Sequence, residues 1–306
     1  MYFRPEGYLF ATSSNQRLIS TIDGLEEARE KGLIVEARVS MCTSSHDLIV
    51  DLPCAVGFIQ REEGAIGIAE GTTRDIAVIS RVNKVVCFKV VSLRKSESGE
   101  YTAVLSRRAA QDECMKKYIS ALRSGDIIEA KVTHLEQFGC FVDIGCGIPS
   151  LIPIDAISVS RISHPSDRFM LGQHIKAVIR SNANGRICLT HKELLGTWSE
   201  NVERYSVGET VGGVVRSVEE YGVFVELAPN LAGLAEPKDN VHPGQNVSVY
   251  IKSILPDKMK VKLVIIDVCE DISPNCNSEY FIESGHISEW IYSTPESGKN
   301  IVSEFL

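Results

Sequence analysis

One sequence pattern occurs twice in this chain, and both copies have the same internal spacing. The first copy contains Gly125-Asp-Ile-Ile-Glu-Ala-Lys-Val and Gln137-Phe-Gly-Cys-Phe-Val-Asp-Ile, and the second contains Gly208-Glu-Thr-Val-Gly-Gly-Val-Val and Glu220-Tyr-Gly-Val-Phe-Val-Glu-Leu. Gly208 lies 83 residues after Gly125, and Gly222 lies 83 residues after Gly139. Because two anchors share one offset, the pattern indicates a duplicated structural unit.

Each copy has the pattern of a set of short strands. Apolar residues alternate with polar ones on both sides of a turn in the first copy, at Ile128, Ala130, Val132, Cys140, Val142 and Ile144. Such alternation predicts half-buried strands. Further strands are predicted over 174–180 and 186–190 in the first copy, and over 245–253 and 260–265 in the second. Five short strands with glycine-rich turns predict a small closed barrel.

The segment between the two copies has the spacing of a helix. Apolar residues recur there at Leu194, Leu195, Trp198 and Val202. This period predicts a helix over 192–205 that links the barrels and packs on one of them.

The composition indicates a globular protein of several domains. A chain of 306 residues with 44% hydrophobic and 24% charged residues is long enough for two or three domains. The nine cysteines form no Cys-x-x-Cys pair and no histidine cluster at zinc spacing, so we expect reduced thiols, no metal and no cofactor. We find no basic-then-apolar leader and no membrane-spanning run, which predicts a cytoplasmic protein without a membrane partner.

The net charge of -8 is concentrated at the C-terminal end. Residues 268–306 contain Lys299 against seven acidic residues, whereas the middle of the chain is nearly neutral. Phosphate binding needs a local positive field, so the middle of the chain suits a nucleic acid better than this end does. The acidic segment also contains Tyr280, Trp290 and Tyr292, and we expect it to fold against the preceding barrel.

The order of these motifs resembles a known RNA-binding domain. Within residues 122–197, Phe138-Gly-Cys-Phe-Val-Asp-Ile is followed by Leu151-Ile-Pro, Gly172-Gln and Arg186-Ile-Cys-Leu-Thr, as in the domain named after ribosomal protein S1. Residues 205–267 resemble a copy that is nine residues shorter. An earlier segment resembles a diverged first copy, with Glu36-Ala-Arg-Val, His46-Asp-Leu-Ile-Val-Asp-Leu and Val104-Leu-Ser-Arg-Arg.

This resemblance implies a mainly β chain of tandem five-stranded OB-fold barrels of the S1 type, joined by short helices. The expected domains are a leader with a diverged barrel in 1–120, an S1 RNA-binding domain in 122–197, a shortened barrel in 205–267 and an acidic extension in 268–306. Nearly the whole chain then resembles the small three-repeat relatives of ribosomal protein S1 found in Gram-positive anaerobes.

The middle copy contains the residues that single-stranded RNA binding needs, namely aromatic platforms beside cations. Phe138 and Phe141 are three residues apart, so strand alternation places them on opposite faces unless the turn at Gly139 re-aims one of them. Aromatic residues of strands more often belong to the core. The resemblance implies instead that both lie on the binding surface. It also makes Arg186 the basic residue of the fifth strand, with Asn182 where an acidic residue is common.

Four further residues of the middle copy are candidate phosphate contacts because they are basic and lie at neighbouring strand positions. They are Lys131, His134, Lys176 and Arg180. Pro153 stands where the family often has a histidine, so one contact is expected to be missing.

The other two copies are expected to bind RNA less well. In the third copy Tyr221 and Phe224 replace the aromatic pair and Lys260 replaces the arginine, but Glu236 stands where a histidine is common and would repel phosphate. In the first copy His46 and Ile49 occupy the aromatic positions and Thr102 lies near the basic one. The resemblance therefore implies a protein-docking role for 1–120, with small ribosomal subunit proteins as partners.

These observations favour a non-enzymatic protein that binds single-stranded RNA, and we expect messenger RNA in translation. The alternative is a protein-docking adaptor on the ribosome or on a ribonuclease assembly, with little direct RNA binding. An enzyme is not expected, since the sequence contains no phosphate-binding loop, no nucleophile elbow and no His-Glu-x-x-His motif. His286-Ile-Ser-Glu289 lacks a partner constellation, so no catalytic residue is assigned.

Overall fold

A computed structural model describes residues 3–183, 186–269 and 279–305 of the chain. The chain forms two compact units, one of residues 1–122 with 143–149 and the other of residues 123–142 with 150–306. Among the described residues, no helix has the length and apolar character needed to span a membrane.

Three closed barrels of five strands dominate the fold, which confirms the predicted mainly β chain of tandem barrels. In every barrel the strands neighbour one another in the order first, second, third, fifth, fourth. The third and fifth strands run parallel to each other. The diverged first segment therefore has the same topology as the two copies of the repeat.

The strands have the following bounds. The first barrel contains β1 Val35–Cys42, β2 Leu48–Leu52, β3 Ala55–Ile59, β4 Val85–Lys95 and β5 Tyr101–Ser106. The second contains β6 Ile127–Glu136, β7 Gly139–Asp143, β8 Pro149–Pro153, β9 His174–Ala183 and β10 Arg186–Thr190. The third contains β11 Thr210–Glu219, β12 Gly222–Ala228, β13 Leu231–Ala235, β14 Asn246–Leu255 and β15 Lys260–Cys269. The shortening of the third barrel lies after its third strand, where residues 236–245 replace a connection of residues 154–173.

Short helices surround the barrels, and side-chain caps fix where several of them begin. The α-helices are α1 Ser13–Ile19, α2 Ile22–Glu30, α3 Ile76–Ile79, α4 Arg107–Lys117 and α5 Trp198–Val202. The Thr21 side chain accepts a hydrogen bond from Gly24 N, and the Ser106 side chain accepts one from Ala109 N. Such caps satisfy backbone N–H groups that have no partner within the helix.

The prediction of one continuous helix over 192–205 is wrong. The segment forms a 3-10 turn, Lys192–Leu195, and then the five-residue helix α5. Gly196 interrupts it with a φ of +80°, a conformation that favours glycine. A Cβ at Gly196 would also lie 2.6 Å from the Phe281 ring, so the packing of Phe281 also requires glycine here.

The C-terminal segment packs on both the second and the third barrels. Its strands β16 Glu289–Ile291 and β17 Val302–Glu304 form a small separate sheet. At the second barrel, Ile287 N donates to Gly125 O at 2.9 Å and Ile127 N donates to Gly285 O at 3.1 Å. At the third, Thr294 Oγ1 donates to Pro256 O at 2.8 Å. The segment thus folds against the third barrel, as expected, and also against the second barrel, which was not expected. Residues 270–278 of the acidic extension lie outside the described residues.

Burial of His191 makes the second unit sensitive to acid. His191 is fully buried, and its ring nitrogens lie 3.0 Å from Ile157 O and 3.3 Å from Tyr280 Oη. Burial lowers the pKa of His191 from 6.5 to about 4. As the pH falls from about 7 to about 4, the unfolded chain takes up a proton here that the folded chain excludes.

We therefore expect acid to lower the free energy of unfolding by about 3 kcal/mol through His191 alone. The measurement is urea unfolding at several pH values, for the natural chain and for His191→Gln. The variant lacks this titration, so its stability should depend less on pH by about that amount. Equal pH dependence in the two proteins would contradict the prediction.

Candidate nucleic-acid interface

Two phenylalanines of the second barrel form an edge-to-face pair on its surface. Phe138 lies in the turn before β7 with 56% of its surface exposed, and Phe141 is half-buried on β7. Their ring centroids are 5.9 Å apart and their planes meet at 89°. The turn thus brings together two residues that simple alternation separates. Gly139 is needed there, because a Cβ on it would lie 2.5 Å from Ile152 O.

His134 borders this aromatic pair. Its ring centroid lies 6.5 Å from that of Phe141, and its Nε2 lies 2.7 Å from Glu136 Oε1. Both side chains of the His134–Glu136 pair are exposed. The His134 ring thus lies beside the aromatic pair, and the negatively charged Glu136 carboxylate lies next to that ring.

The one basic residue of the fifth strand, Arg186, lies on β10, which is separated from β7 in the barrel wall by β8. Arg186 begins β10 and is exposed. On β9, Arg180 is exposed and Asn182 is half-buried, with Asn182 in register with Ile187 of β10. Leu151 of β8 is paired with Cys188, which follows Arg186 by two residues on β10.

Lys131 lies on β6, the strand next to β7, and Lys176 lies on β9, which pairs with both β6 and β10. Lys176 contacts the C-terminal segment. Its Nζ lies 2.9 Å from Glu283 Oε2 and 5.9 Å from the centre of the Tyr280 ring. Lys131 is in register with His174 on the same two strands. The acidic side chain of Glu283 therefore already pairs with Lys176.

The third barrel repeats the aromatic pair. Tyr221 is 67% exposed and Phe224 is half-buried, with ring centroids 6.2 Å apart and planes at 89°. Lys260 is exposed at the start of β15. Glu236 makes an ion pair with Lys252 at 2.8 Å. Lys262 is also exposed on β15 and was missed by the sequence analysis, although the alternation Lys260-Val-Lys262 could have shown it.

The first barrel has no aromatic pair at the corresponding positions. His46 has a φ of +66°, and its Nδ1 lies 3.4 Å from Asp75 Oδ2. Ile49 is paired with Phe58, and Phe58 is paired with Val104. Thr102 is paired with Val56, which is 53% exposed. This surface is therefore apolar where the other two barrels carry aromatic pairs and cations.

The described residues contain no cluster of histidine, cysteine and acidic side chains that could hold a metal ion. The eight cysteines within the described ranges are free thiols, and Cys276 lies outside them. Burial raises the pKa of the Cys140 thiol to about 12, which keeps this thiol protonated.

The barrels and their surfaces define a class of protein: tandem OB-fold barrels, of which the second and third expose an edge-to-face aromatic pair near basic residues of the fifth strand. Residues 121–191 match the family model described as the S1 RNA binding domain. The chain therefore contains an S1 RNA-binding domain, and it is similar to ribosomal protein S1 over most of its length.

The similarity to ribosomal proteins extends beyond the middle barrel. Small ribosomal subunit protein bS1 of Rhizobium meliloti (strain 1021) is 30% identical over 241 residues, which cover 72% of this chain and 41% of the relative. The protein of the same name from Staphylococcus aureus (strain COL) is 29% identical over 259 residues, which cover 79% of this chain and 63% of the relative. The chain thus spans less than two thirds of the length of these relatives.

A solved structure covers a similar share of the chain. It is a multidomain protein with nucleic acid binding domains from Streptococcus pneumoniae TIGR4, with 13% sequence identity and a TM-score of 0.26. The similarity covers 79% of this chain and 76% of that one.

Proposed function

We propose that this chain binds single-stranded RNA without catalysing a reaction, and that it acts on messenger RNA in translation as a ribosomal protein S1-like factor. The observation that carries the proposal is the exposed edge-to-face pair of Phe138 and Phe141 within the S1 RNA-binding domain. Its relatives named as small ribosomal subunit proteins support a role on the ribosome.

The geometry suits stacking better than core packing. Phe138 has 56% of its surface exposed, so its ring is available to a base, whereas a core aromatic residue would be buried. The edge-to-face contact with Phe141 holds the ring in place before RNA arrives. Every base has a π-face, so stacking of this kind tolerates different sequences.

Arg186 supplies the charge that the aromatic pair lacks. It is exposed on β10, two strands from β7 in the barrel wall. An RNA strand that crosses β7, β8 and β10 can stack a base on Phe138 and bring a phosphate to Arg186. Arg180 and Asn182 extend this path along β9, and His134 borders the aromatic end. We assign no phosphate to Lys176, because Glu283 already neutralises it.

The first barrel favours a second candidate function, which is docking to a protein. Its outer surface is apolar along the paired row of Met41, Ile49, Phe58 and Val104, in which Met41 is 52% exposed and the other three are half-buried. Exposed apolar patches of this kind often mark protein interfaces. In this reading residues 1–120 contact small ribosomal subunit proteins while the second and third barrels hold RNA.

The test is fluorescence anisotropy with a labelled single-stranded RNA of about 20 nucleotides, which is longer than one OB-fold site. We expect Phe138→Ala/Arg186→Ala to weaken binding by about tenfold or more, since one lost stacking contact alone costs about 1–3 kcal/mol. The salt dependence should also become shallower by about 0.7 in log-log slope, for one lost phosphate contact.

The matched control is Ile291→Ala/Arg123→Ala. It also removes one exposed apolar residue and one exposed arginine from the second unit, but away from the aromatic pair, and it should bind as the natural chain does. If the natural chain binds no RNA at all, RNA binding is excluded and protein docking through the first barrel becomes the leading function. Equal loss in both double variants would exclude the assigned surface.

A further inference from the structure

Lys176 of β9 is covered by two residues of the C-terminal segment. Glu283 Oε2 lies 2.9 Å from its Nζ, and the centre of the Tyr280 ring lies 5.9 Å from the same nitrogen. The Tyr280 hydroxyl also accepts a hydrogen bond from the backbone N of Lys176 at 3.1 Å. Because Glu129 stands opposite Lys176 on β6, this lysine faces one carboxylate from the barrel and one from the segment.

Arg204, which follows α5, is covered by the same segment in the same way. Glu279 Oε2 lies 2.8 Å from its Nη1, and the centre of the Phe281 ring lies 4.4 Å from its Cζ. Both cations are thus contacted by a carboxylate and an aromatic ring of residues 279–283, whose sequence is Glu-Tyr-Phe-Ile-Glu. We call these five residues the covering run.

The covering run presents the kinds of group with which single-stranded RNA contacts a protein. RNA brings phosphates to cations, and its bases stack on aromatic rings and on the planar guanidinium of arginine. In the covering run, the carboxylates of Glu279 and Glu283 occupy the cations as phosphates would. The Phe281 ring lies over Arg204 as a base would. RNA and the covering run can therefore compete for the same two cations.

The carboxylates of the covering run can leave the cations without unfolding the second unit. The side chains of Glu279 and Glu283 are each 74% exposed, and ion pairs at the surface contribute little to stability. The buried anchor of the segment lies further along the chain, at Trp290 and Tyr292, which are each 5% exposed. Rotation of the two glutamate side chains alone is enough to make both cations available to another anion.

We propose that Lys176 and Arg204 form an additional site for the phosphates of single-stranded RNA, and that the covering run is its built-in competitor. The inference rests on the proposed function, because the ligand is the RNA assigned to the aromatic pair. The site is separate from that surface, since Lys176 lies on β9 and Arg204 lies outside the barrel strands. While the carboxylates stay in place neither cation takes a phosphate, so the covering run lowers the affinity of the natural chain for RNA.

The first test compares Glu279→Gln/Glu283→Gln with the matched control Glu296→Gln/Glu304→Gln in the full chain. Both variants remove two exposed carboxylates from the C-terminal segment and change the net charge equally. Within the described residues, the ion pairs of this segment with lysine and arginine involve Glu279 and Glu283 but neither control residue.

The readout is the salt dependence of binding to a labelled oligouridylate of about 20 nucleotides. We expect Glu279→Gln/Glu283→Gln to steepen the log-log slope by about 1.4, for two additional phosphate contacts with a single strand. Between about 50 and 200 mM salt, its affinity should then fall about sevenfold more than that of the natural chain. The control should keep the natural slope.

Removal of the two cations tests the same competition from the other side. In the natural chain Lys176→Gln/Arg204→Gln should leave the slope unchanged, because the covering run already occupies both cations. Combined with Glu279→Gln/Glu283→Gln, the same substitutions should cancel the gain of about 1.4. A gain that persists without the two cations would overturn the proposal, since it would then come from another site.

Equal slopes for Glu279→Gln/Glu283→Gln and its control would also overturn the proposal. If that happens while Phe138→Ala/Arg186→Ala still weakens binding, RNA binding by the second barrel stands and only the competition is excluded. If neither the natural chain nor any of these variants binds RNA, this proposal and the proposed function both fail.

Discussion

Replacement of Glu226 by alanine is expected to lower the free energy of unfolding by about 3–5 kcal/mol. Glu226 is 6% exposed and makes ion pairs with two arginines, Arg168 of the connection after β8 and Arg216 of β11. Arg216 also lies 3.4 Å from Asp167. Loss of Glu226 would leave the buried guanidinium of Arg168 without its carboxylate, since Arg168 itself is only 5% exposed.

The expected loss of stability is large because the charged groups of Glu226 and Arg168 are buried. Burial lowers the pKa of Arg168 from its ordinary value, and the Glu226 carboxylate opposes that shift. An ion pair at the surface gains little over hydration, but a buried charge that loses its partner cannot recover its hydration. The same residues connect the second barrel to the third, so Glu226→Ala should also loosen the attachment between these two barrels within the second unit.

The measurement is urea unfolding followed by tryptophan fluorescence, since both tryptophans, Trp198 and Trp290, lie in the second unit. Glu236→Ala is the control, because it removes a carboxylate whose ion pair with Lys252 is exposed on both sides. We expect this control to lose at most about 1 kcal/mol. Glu226→Gln keeps the shape of the side chain and isolates the contribution of charge. If Glu226→Ala loses no more stability than Glu236→Ala, the stability of the second unit does not depend on the ion pairs of Glu226.

The strands of the second barrel could be predicted because their signal is local. Alternation around Ile128 and Val142 predicted half-buried strands, and the structure has β6 and β7 there. The predicted strand over 186–190 matches β10, Arg186–Thr190. One half-buried face leaves a period of two in the sequence itself, so neither the partner strand nor the register is needed to recognise it.

Residues brought together by register were harder to predict. Leu234 and Lys262 are far apart in sequence, and only the parallel pairing of β13 with β15 brings them side by side. Alternation could have placed Lys262 on the outer face of a strand, but it could not have shown which residue stands beside it. The same holds for Lys176, whose contact with Glu283 depends on where the C-terminal segment packs.

At Gly196, by contrast, the sequence has a local helical pattern that the structure does not follow. The apolar spacing of Leu194 and Trp198 suits a helix, yet the backbone breaks between them. The side-chain amides of Asn201 and Asn230 replace the helical hydrogen bonds at this break. Asn201 Nδ2 donates to Leu195 O at 2.8 Å, and Asn230 Nδ2 donates to Gly196 O at 2.8 Å. Tertiary hydrogen bonds of this kind outweigh a local helical preference of a few tenths of a kcal/mol to about 1 kcal/mol per residue.

The C-terminal segment is expected to stabilise the second unit through its apolar side chains more than through its acids. Trp290 is 5% exposed and its ring centroid lies 5.6 Å from that of Tyr292. Both belong to the buried cluster that includes Trp198 and Val249 of the third-barrel region. The acidic residue Glu279 forms an ion pair with Arg204 in which both side chains are well exposed, so this pair contributes little.

Trp290→Ala should therefore lower the free energy of unfolding of the second unit by about 3–5 kcal/mol, the usual range for loss of a buried aromatic ring. Ile291→Ala is the matched control, because Ile291 follows on the same strand but is 50% exposed, and we expect a change of less than about 1 kcal/mol. Urea unfolding monitored by far-ultraviolet circular dichroism measures both, since the variant retains only one tryptophan. If the two variants lose stability equally, the segment is not part of the core, and its charge becomes the property to investigate.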